Sequence, residues 1–176
     1  MKRIRRSVYG VLAGMIMMTN TAYAMPNVTW GELPHTNLQS VMLTDGETSS
    51  TDITDNTARG KVFSTGVIEI TNQQDGTLHI SVDTYAHVVV DKIYQTVFLE
   101  VWDEKEEDWV NVEHWDFVKS IEEEPNLSSY HVGFTVSGCE VNRYYRARAM
   151  HLVEWGDNME GKATQTNGIL LTDHEV

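Results

Sequence analysis

The sequence predicts an all-β protein, an antiparallel β-sandwich of about seven strands that follows a signal peptide and a disordered leader. From Lys61 onward, apolar and polar residues alternate with a period of two, and turn residues separate the alternating runs. Only residues 120–127 (SIEEEPNL) have the composition of a helical turn, which Pro125 would end. The chain before Lys61 has no apolar period at all.

Residues 1–24 contain the three parts of a signal peptide. Four cations precede the short apolar run VLAGMIMM (residues 11–18), and Ala22 and Ala24 are the small residues that a signal peptidase reads. The run is far shorter than the ~20 apolar residues that cross a bilayer. We therefore expect the chain to be exported, with Met25 as its first mature residue, and to act outside the cell, free or associated with the envelope.

Residues 25–60 are rich in Thr, Ser, Asn, Asp and Gly. The stretch TDGETSSTDITDNTARG (residues 44–60) has too few apolar side chains to offset the entropy lost on ordering. We interpret residues 25–60 as a flexible polar leader. The domain is then expected to cover residues 61–176.

The strands follow from the alternating runs. Leu78, Ile80 and Val82 form one apolar face, and Gln74-Asp75-Gly76 before them is turn chemistry between two strands. The acidic segment DEKEED (residues 103–108) predicts a second hairpin tip. Short turns between strands favour an immunoglobulin-like sandwich. The predicted strands are residues 62–71, 78–83, 93–102, 109–118, 132–136, 141–153 and 168–172.

The segment YYRARAMHL (residues 144–152), followed by GILLT (residues 168–172), is similar to the last two strands of fibronectin type III-like domains. In those domains a tyrosine begins the penultimate strand. The resemblance implies that Tyr145 is a corner tyrosine whose hydroxyl bonds to nearby backbone. It implies an inward set of Tyr145, Ala147 and Ala149 and an outward set of Arg146, Arg148 and Met150.

Four further features carry a second resemblance. They are GTLHISVDTYAHVVVDKI (residues 76–93), the strand VFLEVW (residues 97–102), Trp109 with Val112 three places on, and YYRARAMH near the end. Together with the signal peptide and polar leader, they resemble a family of small secreted proteins from Gram-positive bacteria that is catalogued as a domain of unknown function. The resemblance implies the fold and export, and it assigns no catalytic residue.

Charge limits the partners of the chain. The sequence has 13 basic and 26 acidic residues, and four of the basic ones lie in residues 1–24, so the mature chain carries 9 against 26 and a formal charge of −17. Such a field repels phosphate backbones and anionic lipid. We expect no nucleic-acid partner and no membrane insertion after signal cleavage. The single cysteine, Cys139, excludes an internal disulfide and is interpreted as a small loop or core residue.

The sequence lacks the motifs of common active sites. It has no G-x-S-x-G turn for a nucleophilic serine, and its seven histidines form no H-x-x-x-H or H-E-x-x-H pair. His114-x-Asp116 is interpreted as part of a solvated strand face. We expect no enzyme activity, no catalytic residue, no cofactor and no metal ligand. The acidic segments, residues 103–108 and 44–55, would suit calcium best among ions, although neither has the spacing of a loop that wraps the ion.

The aromatic residues of one hairpin are the candidate binding site. Trp102, Trp109 and Trp115 would form a platform for a protein or glycan if their rings were exposed. Alternation predicts that Trp102 and Trp115 point outward. The sequence therefore favours a secreted, non-enzymatic module that binds an extracellular protein or glycan. A small secreted hydrolase and an acidic structural or host-facing factor without a defined ligand are the alternatives.

Overall fold

A computed structural model describes residues 40–44, 46–58 and 61–176, which form strands, turns and loops without a helix. Within this part of the chain there is consequently no helix long and apolar enough to cross a membrane. The predicted signal peptide and residues 25–39 lie outside the described residues. The strands are β1 (Ser49–Asp55), β2 (Phe63–Asn72), β3 (Leu78–Ala86), β4 (Lys92–Asp103), β5 (Asp108–Ser120), β6 (Ser129–Val136), β7 (Tyr144–Trp155), β8 (Asn158–Gln165) and β9 (Ile169–Leu170).

Two antiparallel sheets make the sandwich. The first has the strand order β1-β2-β3-β6, and the second has the order β5-β4-β7-β8, with β9 also paired to β7. The chain crosses between sheets after β3, β5 and β6, so β3 pairs with β6 and β4 pairs with β7. Pairing between strands that are not consecutive in the chain is typical of Greek-key β-sandwiches. The predicted all-β antiparallel sandwich is confirmed.

Two strands were not predicted, and the first of them corrects the assignment of the leader. Residues 49–55 were expected to be flexible, but as β1 they pair with β2 along their whole length. Polar contacts replace apolar burial here, because the Ser50 hydroxyl accepts a hydrogen bond from the backbone N–H of Asn167 and the Asp52 carboxylate accepts one from the backbone N–H of Gln165. The one large apolar residue of β1, Ile53, is 59% exposed. The domain therefore begins before residue 61.

The core lies between the two sheets, where the predicted alternation places it. Leu78, Ile80 and Val82 are all fully buried, which confirms the face predicted for β3. On β6, Val136 belongs to the core and Phe134 packs against it, whereas Val132 is only partly buried. The larger apolar cluster comprises Ile68, Ile70, Leu78, Ile80, Val82, Val97, Leu99, Val136, Tyr145, Ala147, Ala149, Ile169 and Leu171. A smaller one comprises Phe63, Val90, Ile93, Leu127 and Val153.

A polar layer separates these two clusters. His151 on β7 is fully buried, and its Nδ1 and Nε2 lie 2.8 Å from the hydroxyls of Thr84 and Thr164. The Nε2 amide of Gln95 donates to Thr84 over 2.9 Å. Gly66 makes room for the imidazole, since a Cβ at that position would lie 2.7 Å from its Cδ2 atom. Burial lowers the pKa of His151 to about 3, so the ring is neutral in the folded protein.

The corner tyrosine is confirmed. The Tyr145 hydroxyl donates to the backbone carbonyl of Glu140 over 3.1 Å, and Ala147 and Ala149 are fully buried in the core. The opposite set, expected to face outward, does lie on the outer face of the second sheet but is not solvated. Arg148 is 8% exposed and Met150 is 4% exposed. Strand β7 is therefore buried on both faces, which simple alternation does not predict.

Candidate functional site

A β-bulge determines where the tryptophans of the β4–β5 hairpin point. The pairing of β5 with β4 shifts between Leu99 and Glu100, and Val112 is the extra residue on β5. An extra residue reverses the faces of the strand beyond it. Trp109 and Trp115 have the same parity in sequence, but they consequently lie on opposite faces of the second sheet.

Trp102 and Trp109 pair on the outer face. Their ring centroids are 5.5 Å apart at an interplanar angle of 66°, an edge-to-face arrangement. The Arg146 guanidinium lies 4.6 Å from the centroid of the Trp109 ring, within the range of a cation–π contact. Only glycine fits at position 168, because a Cβ there would lie 2.6 Å from the Cη2 atom of Trp109. Both rings are half-buried, so each keeps part of its surface accessible.

Trp115 does not belong to this outer surface, and the prediction that it points outward is wrong. It pairs with Val97, which is fully buried, and it packs against the main core. Its ring centroid lies 4.9 Å from that of Phe134 on β6. The bulge accounts for the difference, because it separates Trp115 from the register of Trp109. Of the three candidate residues, Trp102 and Trp109 therefore form a pair on the outer face, and Trp115 packs against the core.

A buried ion cluster lies beside the tryptophan pair. One carboxylate oxygen of Glu100 is 2.6 Å from Nε of Arg146, and the other is 3.2 Å from Nη1 of Arg148. The three side chains are 8%, 11% and 10% exposed, respectively. Arg146 also donates to the Ser40 hydroxyl. Burial lowers the pKa of Arg146, and the Glu100 carboxylate opposes that change.

Sequence reasoning missed this cluster. The resemblance implies that Arg146 and Arg148 face outward, and they do lie on the outer face, but both side chains are buried there. Their partner, Glu100, is a lone acid between Phe98 and Trp102 on that face of β4. An acidic residue among aromatic ones, matched with an R-x-R pair on another strand, is the signal that could have indicated the cluster.

Strand β5 forms one edge of the second sheet, since β4 is its only partner strand in the described part of the chain. Its thirteen residues are mostly solvent-exposed. Val110, Val112 and Val118 are 45%, 50% and 41% exposed. Residues 103–124, which contain β5 and the turns on either side, carry ten acidic and two basic residues. The edge thus combines free backbone groups, exposed aliphatic side chains and a strongly negative field.

The carboxylates weighed as ion ligands have structural roles. Asp103 accepts hydrogen bonds from the backbone amides of Lys105 and Glu106, which closes the acidic hairpin tip and lowers its pKa. Asp116 accepts from the Thr96 hydroxyl over 2.6 Å, while His114 stacks on Phe98. Across the described residues, no group of three or more His, Cys, Asp or Glu side chains is arranged to hold a metal.

Cys139 is half-buried at the edge of the core, as predicted for a loop or core residue. Burial raises the pKa of its thiol, and the nearby Glu113 carboxylate raises it further. A thiol with a raised pKa is a poor nucleophile, since the thiolate is the reactive form.

Residues 39–169 match the model of a family described as a family of unknown function, DUF6147. The matched range begins ahead of β1 and includes the tryptophan pair, the ion cluster and the exposed edge. A search of curated proteins finds no match.

Proposed function

The chain belongs to this family of unknown function, and we propose that it is a non-enzymatic module that acts outside the cell, free or associated with the envelope. In this proposal it binds a basic, extended segment of another protein along β5. The observation that carries the proposal is the edge position of β5, whose backbone groups on one side have no strand partner among the described residues.

Strand addition suits this edge. A peptide that adds to an exposed strand gains main-chain hydrogen bonds, and its alternate side chains contact the neighbouring surface. Beyond the bulge, Glu113 to Ser120 is a regular stretch of β5 long enough for such pairing. Val118 supplies exposed apolar surface within it. The bulge at Val112 limits the added strand to this stretch, because it interrupts the ladder.

Charge selects the partner. The acidic excess of residues 103–124 favours a cationic segment and disfavours an acidic one. The predicted mature charge of −17 acts in the same direction over longer distances.

A protein partner is favoured over a glycan because of how the aromatic residues are used. A sugar-binding platform needs exposed ring faces. Trp115 packs in the core, and Trp109 is covered by Arg146 on one side and contacts Trp102 on another. The pair therefore supports the hairpin, and we assign the binding role to the strand edge beside it.

The test uses a ten-residue peptide of alternating Lys and Val, titrated into the 15N-labelled chain. We expect amide shifts concentrated between Glu113 and Ser120. The same peptide N-methylated at alternate residues should bind at least tenfold more weakly, because it cannot complete the ladder. Glu113→Lys should also weaken binding several-fold, whereas the matched reversal Glu175→Lys, at the exposed C-terminus, should not.

Two outcomes would overturn the proposal. Equal affinity for the two peptides would reduce the interaction to charge attraction alone. Shifts at Trp102 and Trp109 on titration with N-acetylchitohexaose, without any response of β5 to the peptide, would establish a glycan-binding role instead.

A further inference from the structure

Two histidines converge on the outer face of the first sheet, the sheet that does not contain β5. In the β3–β6 ladder, Ser81 on β3 pairs with Gly133 on β6. His79 on β3 lies two positions to one side of this pair, and His131 on β6 lies two positions to the other side. The Nε2 atoms of the two rings lie 3.5 Å and 3.4 Å from the position that a Cβ would take on Gly133. Both nitrogens thus approach the same space above one glycine.

The other nitrogen of each ring has its own hydrogen-bond partner. Nδ1 of His131 lies 2.9 Å from the Oδ1 atom of Asp83, and Nδ1 of His79 lies 3.4 Å from the Thr135 hydroxyl. A carboxylate only accepts, so in the neutral His131 ring the proton is on Nδ1 and the lone pair is on Nε2. A histidine held through Nδ1 by a carboxylate is the arrangement that orients metal-binding imidazoles in proteins.

Gly133 provides the space between the rings. Its Cα faces solvent, and the only atoms near its absent side chain that lie within about 3.6 Å are those of His79 and His131. A Cβ at position 133 would be in van der Waals contact with both Nε2 atoms. Glycine in a strand interior weakens the strand and often marks a point of close approach by another group. Here the group that approaches is the pair of imidazoles.

We propose that His79 and His131 form a binding site for a borderline divalent metal ion, with Zn²⁺ as the representative, coordinated through the two Nε2 atoms. Imidazole nitrogen selects zinc, copper and nickel over calcium and magnesium. No group of three or more His, Cys, Asp or Glu side chains is arranged to hold a metal among the described residues, so water would fill the remaining coordination positions. The His131 side chain is 63% exposed, so a solvated ion can reach its ring.

This site departs from the sequence-based expectation that the chain holds no metal. The two histidines are fifty-two positions apart, and no local spacing joins them. Only the antiparallel pairing of β3 with β6 brings them to one face. The site is on a different sheet from β5, so a test of zinc binding is independent of whether a peptide adds to β5.

Titration of the untagged, purified chain with ZnCl₂, followed by calorimetry and by the 15N shifts of the histidine side chains, tests the proposal. We expect one saturable site and a shift of Nε2 in His79 and His131 alone. The double variant His79→Ala/His131→Ala removes both proposed ligands and should abolish saturable binding while the chain stays folded. Asp83→Asn should lower the affinity 10–100-fold, the usual effect of losing such an orienting partner.

His114→Ala is the matched control, because His114 is also an exposed strand histidine but lies on the second sheet. It should leave zinc binding unchanged. Circular dichroism and the melting temperature of the double variant check that the fold survives. Zinc binding by this double variant with the affinity of the unchanged chain would overturn the proposal, as would the absence of saturable binding in the unchanged chain.

Discussion

At the scale of single residues, His151 shows how the core accommodates polar groups. The ring sits between two threonine hydroxyls, in a layer that Gln95 completes. A neutral imidazole in this position can satisfy both ring nitrogens, whereas a charged one would pay the cost of desolvation without a carboxylate beside it. Gly66 on β2 and the larger ring of Phe63 enclose it.

This burial predicts a dependence of stability on pH. The pKa of His151 is about 3 in the folded chain against an ordinary value of 6.5, so the unfolded chain binds one more proton between these values. The stability that the neutral ring contributes is therefore complete above pH 6.5 and is lost as the pH falls toward 3, at about 1 kcal/mol per pH unit.

Urea unfolding of the unchanged chain and of His151→Gln between pH 7 and pH 4 measures this contribution. The variant should be less stable at pH 7, and the difference between the two proteins should shrink as the pH falls. Carboxylates that titrate in the same range are common to both proteins and cancel in the difference. Parallel stability curves would show that His151 does not titrate as its burial implies.

At the scale of elements, one extra residue in β5 decides the environment of two tryptophans. Trp109 precedes the bulge at Val112 and lies on the outer face over Arg146, whereas Trp115 follows the bulge and points into the core. The bulge also twists the edge of the sheet and interrupts its hydrogen-bond ladder. The hairpin thus presents a regular, acidic strand edge on one side of the bulge and an aromatic pair on the other.

The bulge predicts different effects for two alanine substitutions. Trp115→Ala should lower the free energy of unfolding by about 3 kcal/mol, because it removes a ring packed on Phe134 in the core. Trp102→Ala should cost about 1 kcal/mol, since it removes mainly an edge-to-face contact with Trp109. Chemical denaturation followed by circular dichroism measures both. A larger loss for Trp102→Ala would contradict the assignment of faces.

At the scale of the whole molecule, the predicted cleavage of the signal peptide changes the net charge of the chain. Loss of residues 1–24 would remove four cations and leave the formal charge at −17. We predict that the chain secreted by its host begins at Met25. Intact-mass measurement of the secreted protein tests this, and a species that retains Lys2 to Ala24 would contradict it. The prediction concerns residues outside those that the structure describes.

Much of the sandwich could be predicted because alternation directly reports which side of a strand is buried. The apolar face of β3, the turn at Gln74-Asp75-Gly76 and the corner tyrosine Tyr145 each depend on residues close together in sequence. The candidate site was only partly predictable. Trp102 was assigned to the correct face, whereas Trp115 was not. A bulge cannot be recognised from the alternation of one strand, because it is defined by the pairing with the partner strand.

The sequence by itself determined the fold class, the faces of the central strands and the acidic character of the chain, since these follow from local periodicity and composition. Only the tertiary structure decided where polar side chains lie and which partners they contact. It made an edge strand of the polar segment Ser49–Asp55, buried Glu100 with two arginines and brought His79 to His131. The physical reason is that a polar side chain is stable in a buried or paired position only with a partner, and the partners here are distant in sequence.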